Sequence, residues 1–128
     1  MLKKIVVNPL NFRDIDEDHE EFVALLAASV AADNVGFATL FDRLLEHIEL
    51  HFAREEELMA CHKFAATGEH QGEHRRVLAE MRQFQRRVAR GTVGFARAYV
   101  EQTLPQWLDL HVTTMDSALV AAIARDSV

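Results

Sequence analysis

The sequence has 128 residues, of which 20 are acidic and 14 are basic, and its formal net charge is −6. This length fits one domain with its own core, and the negative charge disfavours a nucleic-acid partner held through its phosphates. A single cysteine excludes an internal disulfide, and no apolar run approaches the roughly 20 residues of a membrane span. The N-terminal apolar stretch is shorter than the roughly 7–15 residues of a signal-peptide core. We therefore expect a cytoplasmic protein.

Only two prolines and five glycines interrupt the chain, and no segment alternates apolar and polar residues for long. The sequence therefore predicts helices joined by short turns. In chain order, the predicted elements are an N-terminal arm and four helices, over residues 1–15, 16–32, 36–60, 68–90 and 93–124. Asp16 is the predicted N-cap of the first helix. The predicted fold is all-α, an up-down-up-down four-helix bundle over 16–124 with an extended N-terminal arm, in a single domain over 1–128.

Seven side chains have the types and the spacing of metal ligands: His19, His51, Glu55, His70, His74, His111 and Asp116. Two pairs are four residues apart, and on an α-helix this spacing places both side chains on nearly the same face, about 6 Å apart. One inward histidine is more often an ordinary core residue. Five histidines beside two carboxylates would be costly to bury without a metal, so the pattern favours a metal site.

The positions of these residues along the chain test the predicted bundle. In antiparallel helices, side chains at one height lie at equal distances from the turn between them. The midpoints between successive ligand groups fall at about residues 36, 62–63 and 93, each in a predicted turn. Four helices would therefore bring all seven side chains to one level, which is how bundles build metal sites.

The ligand types restrict the metal. Imidazole and carboxylate without thiolate suit iron, zinc, copper or manganese. Seven ligands exceed the four of a structural zinc site and fit two ions that share bridging carboxylates, with a solvent-derived bridge and one open position. The Glu-x-x-His spacing of ferritin-like di-iron proteins is absent, because Glu69-His70 and Glu73-His74 are adjacent pairs. Neutral imidazoles stabilise high-valent iron less than carboxylates do, which favours a reversible step with O₂ over full cleavage of the O–O bond.

Four stretches of the sequence resemble the hemerythrin-like family, specifically bacterial hemerythrins: Ile15–His19, His51–Met59, His70-x-x-x-His74 and Trp107–Asp116. The resemblance implies a non-haem di-iron centre with a bridging oxo or hydroxo group that binds O₂ reversibly. It implies one iron held by three histidines, namely His70, His74 and His111. It implies a second iron, with an open position, held by His19 and His51. The two bridging carboxylates would be Glu55 and Asp116. The offset from His111 to Asp116 is five residues, about 140° around a regular helix. Asp116 must therefore reach in from the flank, or the fourth helix must loosen, and Pro105 upstream favours a kink.

The family resemblance also implies a dry O₂ pocket, walled by Phe52, Trp107, Leu108 and Val112, although each of these residues alone would also fit ordinary core packing. The chain differs from many family members at His47, where they carry tyrosine, and in the arm, where Phe12 could replace a tryptophan. His47 could hydrogen-bond a ligand, relay protons or act as a spare ligand, or it could be a semi-exposed histidine.

The function predicted from these residues is O₂ carriage, storage or delivery by a stand-alone di-iron protein. The alternatives are a peroxidase or oxidase, in which His47 supplies protons, and a sensor of O₂ or iron. Cys61 and His62 are expected at the surface. The arginine-rich face of the third helix is expected to be solvated, unless it docks an acidic partner. The sequence leaves the oligomeric state and the protein partner open, and a monomer agrees with it.

Overall fold

A computed structural model of the chain describes residues 8–126. It contains three long helices, α1 (Arg13–Ala31), α2 (Asn34–Cys61) and α3 (Thr67–Ala89), and a continuous fourth helical rod over 94–126, which we call α4. Short turns join them, and α2 packs against both α1 and α3, while the first part of α4 packs against α1 and α3. The predicted all-α, up-down-up-down four-helix bundle is confirmed, and the turns lie where the sequence predicts them.

The start of α1 differs from the prediction. The helix begins at Arg13 with Phe12 as its N-cap, so the predicted N-cap Asp16 is wrong. The Asp16 carboxylate instead accepts hydrogen bonds from the backbone N–H groups of Leu10 at 2.7 Å and Phe12 at 3.2 Å. It reaches back from the first turn to N–H groups ahead of the helix, much as the acidic residue of a capping box does.

The predicted arm over 1–15 is therefore shorter, and only residues 8–12 of it are both described and outside the helix. This segment is not uniformly extended, because Asn11 has a φ of 62°, in the left-handed region that asparagine tolerates. Residues 1–7 of the arm lie outside the described residues. The single domain over 1–128 includes them and stays a prediction.

The end of α3 has a local cause in the sequence. Gly91 has a φ of 90°, which glycine adopts without steric cost. The Thr92 N–H bonds the Arg87 carbonyl at 3.0 Å and the Gly91 N–H bonds the Val88 carbonyl at 2.9 Å. These two bonds form a Schellman motif, which satisfies carbonyls that the last turn leaves free.

Two stretches of α4 are π-helical, Tyr99–Thr103 and Val112–Asp116. The segments around them are regular α-helix: Gly94–Ala98, Leu104–His111 and Ser117–Asp126. The first wide turn ends two residues before Pro105, which lacks an N–H and would clash with the carbonyl four residues earlier in a regular helix. The Leu104 N–H bonds the Tyr99 carbonyl, five residues back. The irregularity expected near Pro105 is therefore a widened turn.

Two apolar clusters fill the bundle. The larger includes Phe22, Phe37, Phe41 and Phe52, and the smaller consists of Met59, Leu119 and Ile123. The seven predicted ligands lie between the two clusters along the helices. The polar layer is thus closed by apolar side chains above and below. Within the described part of the chain, no helix is both long enough and apolar enough to cross a membrane.

Candidate metal centre

The structure brings the seven predicted ligand side chains together at one level of the bundle, and none of them is more than 5% exposed. Their potential ligand atoms form two overlapping groups, and within each group these atoms lie within 4.8 Å of one another. A three-histidine group contains His70, His74 and His111, and a two-histidine group contains His19 and His51. Both groups contain Glu55 and Asp116, so the two carboxylates are shared.

The two oxygens of the Glu55 carboxylate face different histidine groups. Its Oε1 lies 3.1 Å from Nε2 of His74 and 3.5 Å from Nε2 of His70. Its Oε2 lies 3.5 Å from Nε2 of His51. The carboxylate is fully buried. This geometry is that of a carboxylate that can give one oxygen to each of two metal ions.

Asp116 repeats this arrangement from the opposite side of the bundle. Its Oδ1 lies 3.1 Å from Nε2 of both His70 and His111, and its Oδ2 lies 2.9 Å from Nε2 of His19. Like Glu55, it is fully buried. The two carboxylates therefore link the same pair of groups.

The π-helical segment Val112–Asp116 explains how Asp116 reaches this position. In a regular helix an offset of five residues would turn Asp116 about 140° away from His111. The wide turn removes most of this difference, since a π turn accommodates one extra residue. The hydroxyls of Thr113 and Thr114 donate to the Leu110 carbonyl at 3.3 and 2.6 Å. Of the two routes that the sequence allows, the structure has the loosened helix.

The polar atoms of the cluster fit a metal better than they fit one another. Seven buried side-chain atoms have no hydrogen-bond partner among the described residues, and four of them face the shared space: Glu55 Oε1 and Oε2, His74 Nε2 and Asp116 Oδ1. Nε2 of His70 and Nε2 of His111 lie 3.1 Å apart, so without a cation between them one must carry a proton. A buried polar group without a partner costs about 1–3 kcal/mol. Metal ions would use these lone pairs.

Two of the side chains around the shared space, Glu55 and His70, have raised pKa values in the absence of a metal. Burial and the negative charge of Asp116 raise the pKa of Glu55 well above its usual value. Burial also acts to raise the pKa of Asp116, but the close contacts with His111 and His19 outweigh burial and lower it. Burial acts to lower the pKa of His70, but the nearby carboxylates of Asp116 and Glu55 outweigh burial and raise it to about 9. Divalent cations could replace such protons, because metal binding requires deprotonated ligands.

The protonation of His74, another predicted ligand, is controlled by its burial and its neighbours. Burial, and then the positive charges of His70 and His111, lower the pKa of His74 to about 2. It is therefore a neutral imidazole at physiological pH. Its Nδ1 lies 3.3 Å from the Glu56 carboxylate, which leaves Nε2 available as a ligand atom.

Sequence reasoning missed the carboxylates that hold the outer nitrogens of two ligands. Asp18 accepts from Nδ1 of His51 at 2.9 Å and from Nη1 of Arg54 at 2.6 Å, and Glu56 pairs with His74. Asp18 lies about 100° from His19 around α1, so the inward-facing pattern does not include it. The sequence signal for the Asp18 contact would have been an acidic residue next to His19 together with an arginine, Arg54, three residues after His51.

The predicted pocket residues lie against the three-histidine group. The Phe52 ring stacks on His74 with ring centroids 3.7 Å apart, and Trp107 stacks on His111 at 4.5 Å. Nε1 of Trp107 donates to Glu73 at 2.6 Å, which fixes the indole. Leu108 and Val112 are buried in the core. The role of these four residues as walls of an O₂ pocket stays a prediction.

His47 points toward α1. Its Nε2 donates to the backbone carbonyl of Asp18 at 2.9 Å, and its Nδ1 lies 3.6 Å from the exposed Glu21 carboxylate. The side chain is 12% exposed, and His47 is not a member of either histidine group described above. The structure thus links His47 to the partner of a proposed ligand and not directly to a ligand.

The residues expected at the surface are found there. Cys61 is exposed, and the partly exposed His62 lies 2.9 Å from Asp126 through its Nδ1. The arginines of the α3 face are all exposed: Arg75, Arg76, Arg82, Arg86, Arg87 and Arg90. Several have local acidic partners, such as Arg76 with Glu73 and Glu80.

A four-helix bundle with a buried layer of histidines and shared carboxylates defines a protein with a non-haem metal centre. The sequence profile of the Hemerythrin HHE cation binding domain matches residues 11–123. A curated bacteriohemerythrin from Ralstonia nicotianae is 34% identical over 110 residues, which are 86% of this chain and 80% of that protein. No solved structure gives a significant match. The chain belongs to the hemerythrin family, which confirms the resemblance seen in the sequence.

Proposed function

We propose that this chain is a non-haem di-iron protein that binds O₂ reversibly and thereby carries, stores or delivers it in the cytoplasm. The observation that carries the proposal is the sharing of Glu55 and Asp116, each with one oxygen toward three histidines and the other toward two. A single ion would not require two carboxylates in this position. The family match and the curated bacteriohemerythrin relative support the same function.

In the proposed centre, the three-histidine group would hold one iron and the two-histidine group the other, and the two shared carboxylates, Glu55 and Asp116, would serve both. Imidazole and carboxylate are ligands that suit iron. When bound, two iron ions joined by an oxo or hydroxo group would supply two electrons and one open coordination position for O₂. That position would lie at the two-histidine group, which offers one histidine fewer than the other group.

The surrounding side chains would keep water and stray protons away from the iron pair. All seven proposed ligands are buried, and Phe52, Leu108 and Val112 are at most 3% exposed. Excluding water slows side reactions of a reactive bound species. We keep Phe52, Trp107, Leu108 and Val112 as the predicted wall of this pocket, and the assignment depends on the di-iron proposal. Phe52 and Trp107 stack on His74 and His111, so their closest contacts are with the three-histidine group and not with the group that would have the open position.

The decisive experiment combines metal analysis with absorption spectra of reduced, oxygenated and re-deoxygenated protein. We expect two irons per chain after anaerobic reconstitution and a spectrum that appears with O₂ and vanishes when O₂ is removed, over repeated cycles. Fewer than two irons per chain, or a single zinc ion in the site, would contradict the proposal.

The alternative function is that of a peroxidase or oxidase, and a variant of His47 can test it directly. Such an enzyme would consume H₂O₂ with a reductant, and it would lose that activity in His47→Phe while retaining iron. The contacts of His47 to α1 favour O₂ binding instead, since the imidazole already donates Nε2–H to the Asp18 carbonyl. In an O₂ carrier, His47→Phe should therefore leave the oxygenation cycle intact.

A further inference from the structure

Three hydrogen bonds converge on Asp18, which is not one of the proposed ligands. Its Oδ2 accepts from Nδ1 of His51 at 2.9 Å, and its Oδ1 accepts from Nη1 of Arg54 at 2.6 Å. Its backbone carbonyl accepts from Nε2 of His47 at 2.9 Å. Asp18 is only 5% exposed. A buried carboxylate is thus held on one side by an arginine and presented on the other side to a histidine.

The contact with Asp18 determines which nitrogen of His51 is free. Nδ1 keeps its proton and donates a hydrogen bond to the Asp18 carboxylate, so the neutral imidazole has its lone pair on Nε2. This Nε2 is the atom that faces Glu55 Oε2 at 3.5 Å. The hydrogen bond therefore sets both the tautomer and the ring orientation that metal binding by His51 requires.

The two-histidine group depends on this contact more than the three-histidine group depends on its counterpart. Nδ1 of His19, the other histidine of the group, has no hydrogen-bond partner among the described residues. In the three-histidine group, His74 has a carboxylate partner in Glu56, but their contact is 3.3 Å long and the Glu56 side chain is 37% exposed. The three-histidine group also has an additional imidazole. Losing one orienting contact should therefore matter less there.

A surface cavity of about 280 Å³ reaches the contact from outside the bundle. Its lining includes Asp18 and Arg54, together with Asp14 and Glu57. The Arg54 side chain is 58% exposed, whereas that of Asp18 is 7% exposed. The Arg54–Asp18 ion pair thus lies between this cavity and His51, and without it water could compete for Nδ1 of the ligand.

We propose that Asp18, held in place by Arg54, is a positioning residue that retains the metal ion of the two-histidine group. The inference rests on the proposed function only in requiring that two ions bind. Loss of a carboxylate that orients a ligating histidine lowers metal affinity about 10- to 100-fold. We expect a loss of this size for the ion held by His19 and His51, and little change for the other ion.

The test uses the full chain loaded with two Co²⁺ ions, whose release to increasing chelator is followed by absorption at constant pH. Asp18→Asn removes the charge with little change in size. We expect the affinity for the ion held by His19 and His51 to fall 10- to 100-fold. The affinity for the ion of the three-histidine group should stay the same. Asp14→Asn is the matched control, because it removes the same charge from an exposed position on α1 that lines the same cavity. It should release both ions as the unmodified chain does.

Arg54→Gln gives a second, independent measurement, because it leaves the Asp18 carboxylate in place but removes the group that fixes it. It should weaken the same ion by a smaller factor, and it keeps the test decisive if circular dichroism shows Asp18→Asn to be unfolded. Equal weakening of both ions, or unchanged release in the folded variants, would overturn the inference. If the unmodified chain binds fewer than two Co²⁺ ions, the proposed function fails together with the inference.

Discussion

Deleting one residue from the wide turn of α4 tests the explanation of how Asp116 reaches the centre. A π turn is equivalent to one residue inserted into an α-helix. Deletion of the exposed Thr114 should therefore restore regular helix and leave His111 and Asp116 four residues apart, as His51 and Glu55 are. At 100° per residue, this offset separates two side chains by about 40°, against about 140° for an offset of five.

The expected effect of the deletion on stability is small. The hydroxyl of Thr114 donates to the Leu110 carbonyl at 2.6 Å at the surface, and such a bond contributes about 0.5–1.5 kcal/mol. Regular backbone hydrogen bonds regained in the α-helix offset much of this loss. The free energy of unfolding should then change by about 1 kcal/mol or less, which corresponds to roughly 4 °C in Tm.

The assay is the number of metal ions per chain after anaerobic reconstitution, together with a thermal melt followed by circular dichroism. We expect the Thr114 deletion to retain two ions. Deletion of the exposed Leu110 is the control, because it turns His111 by about 100° relative to Leu108 and the preceding core. That variant should lose the ion of the three-histidine group. If the Thr114 deletion loses metal as completely as the Leu110 deletion does, the reasoning is refuted.

Three further predictions concern metal binding and the core. Removing the metal ions with a chelator should lower the free energy of unfolding by about 2.7 kcal/mol for each ion present at 100 times its Kd, and an unchanged melt would contradict a buried metal site. Metal loading at pH 7 should release a proton from His70, whose pKa is raised to about 9 in the metal-free chain, as measured with an indicator in weakly buffered solution. Because His70 is protonated only below that pKa, the proton that it releases on metal loading should no longer be detected as the pH rises past 9. Equal proton release at pH 7 and above pH 9 would contradict this prediction. Phe52→Ala should lower the free energy of unfolding by about 3–5 kcal/mol in chemical denaturation, because the ring is 2% exposed and stacks on His74. Phe52→Leu, which fills more of the space, should cost clearly less, and equal losses would argue against a packing role.

The start of α1 shows where sequence rules reach their limit. Asp16 has the residue type of an N-cap, and apolar residues follow it at helical spacing. The helix nevertheless begins at Arg13, because the Asp16 carboxylate bonds the N–H groups of Leu10 and Phe12 ahead of it. A short-range pattern cannot distinguish these two uses of one carboxylate.

The sequence by itself determined the four helices, their turns and the level at which the seven ligand candidates meet. These properties follow from periodicity and from spacing about each turn, which are local features of a helical backbone. Only the tertiary structure decided that each shared carboxylate faces both histidine groups, that α4 widens before Asp116, and that Asp18 pairs with His51. These contacts depend on the rotation and axial shift of one helix against another. Side-chain packing between the helices sets both quantities, and no single helix carries that information in its own residues.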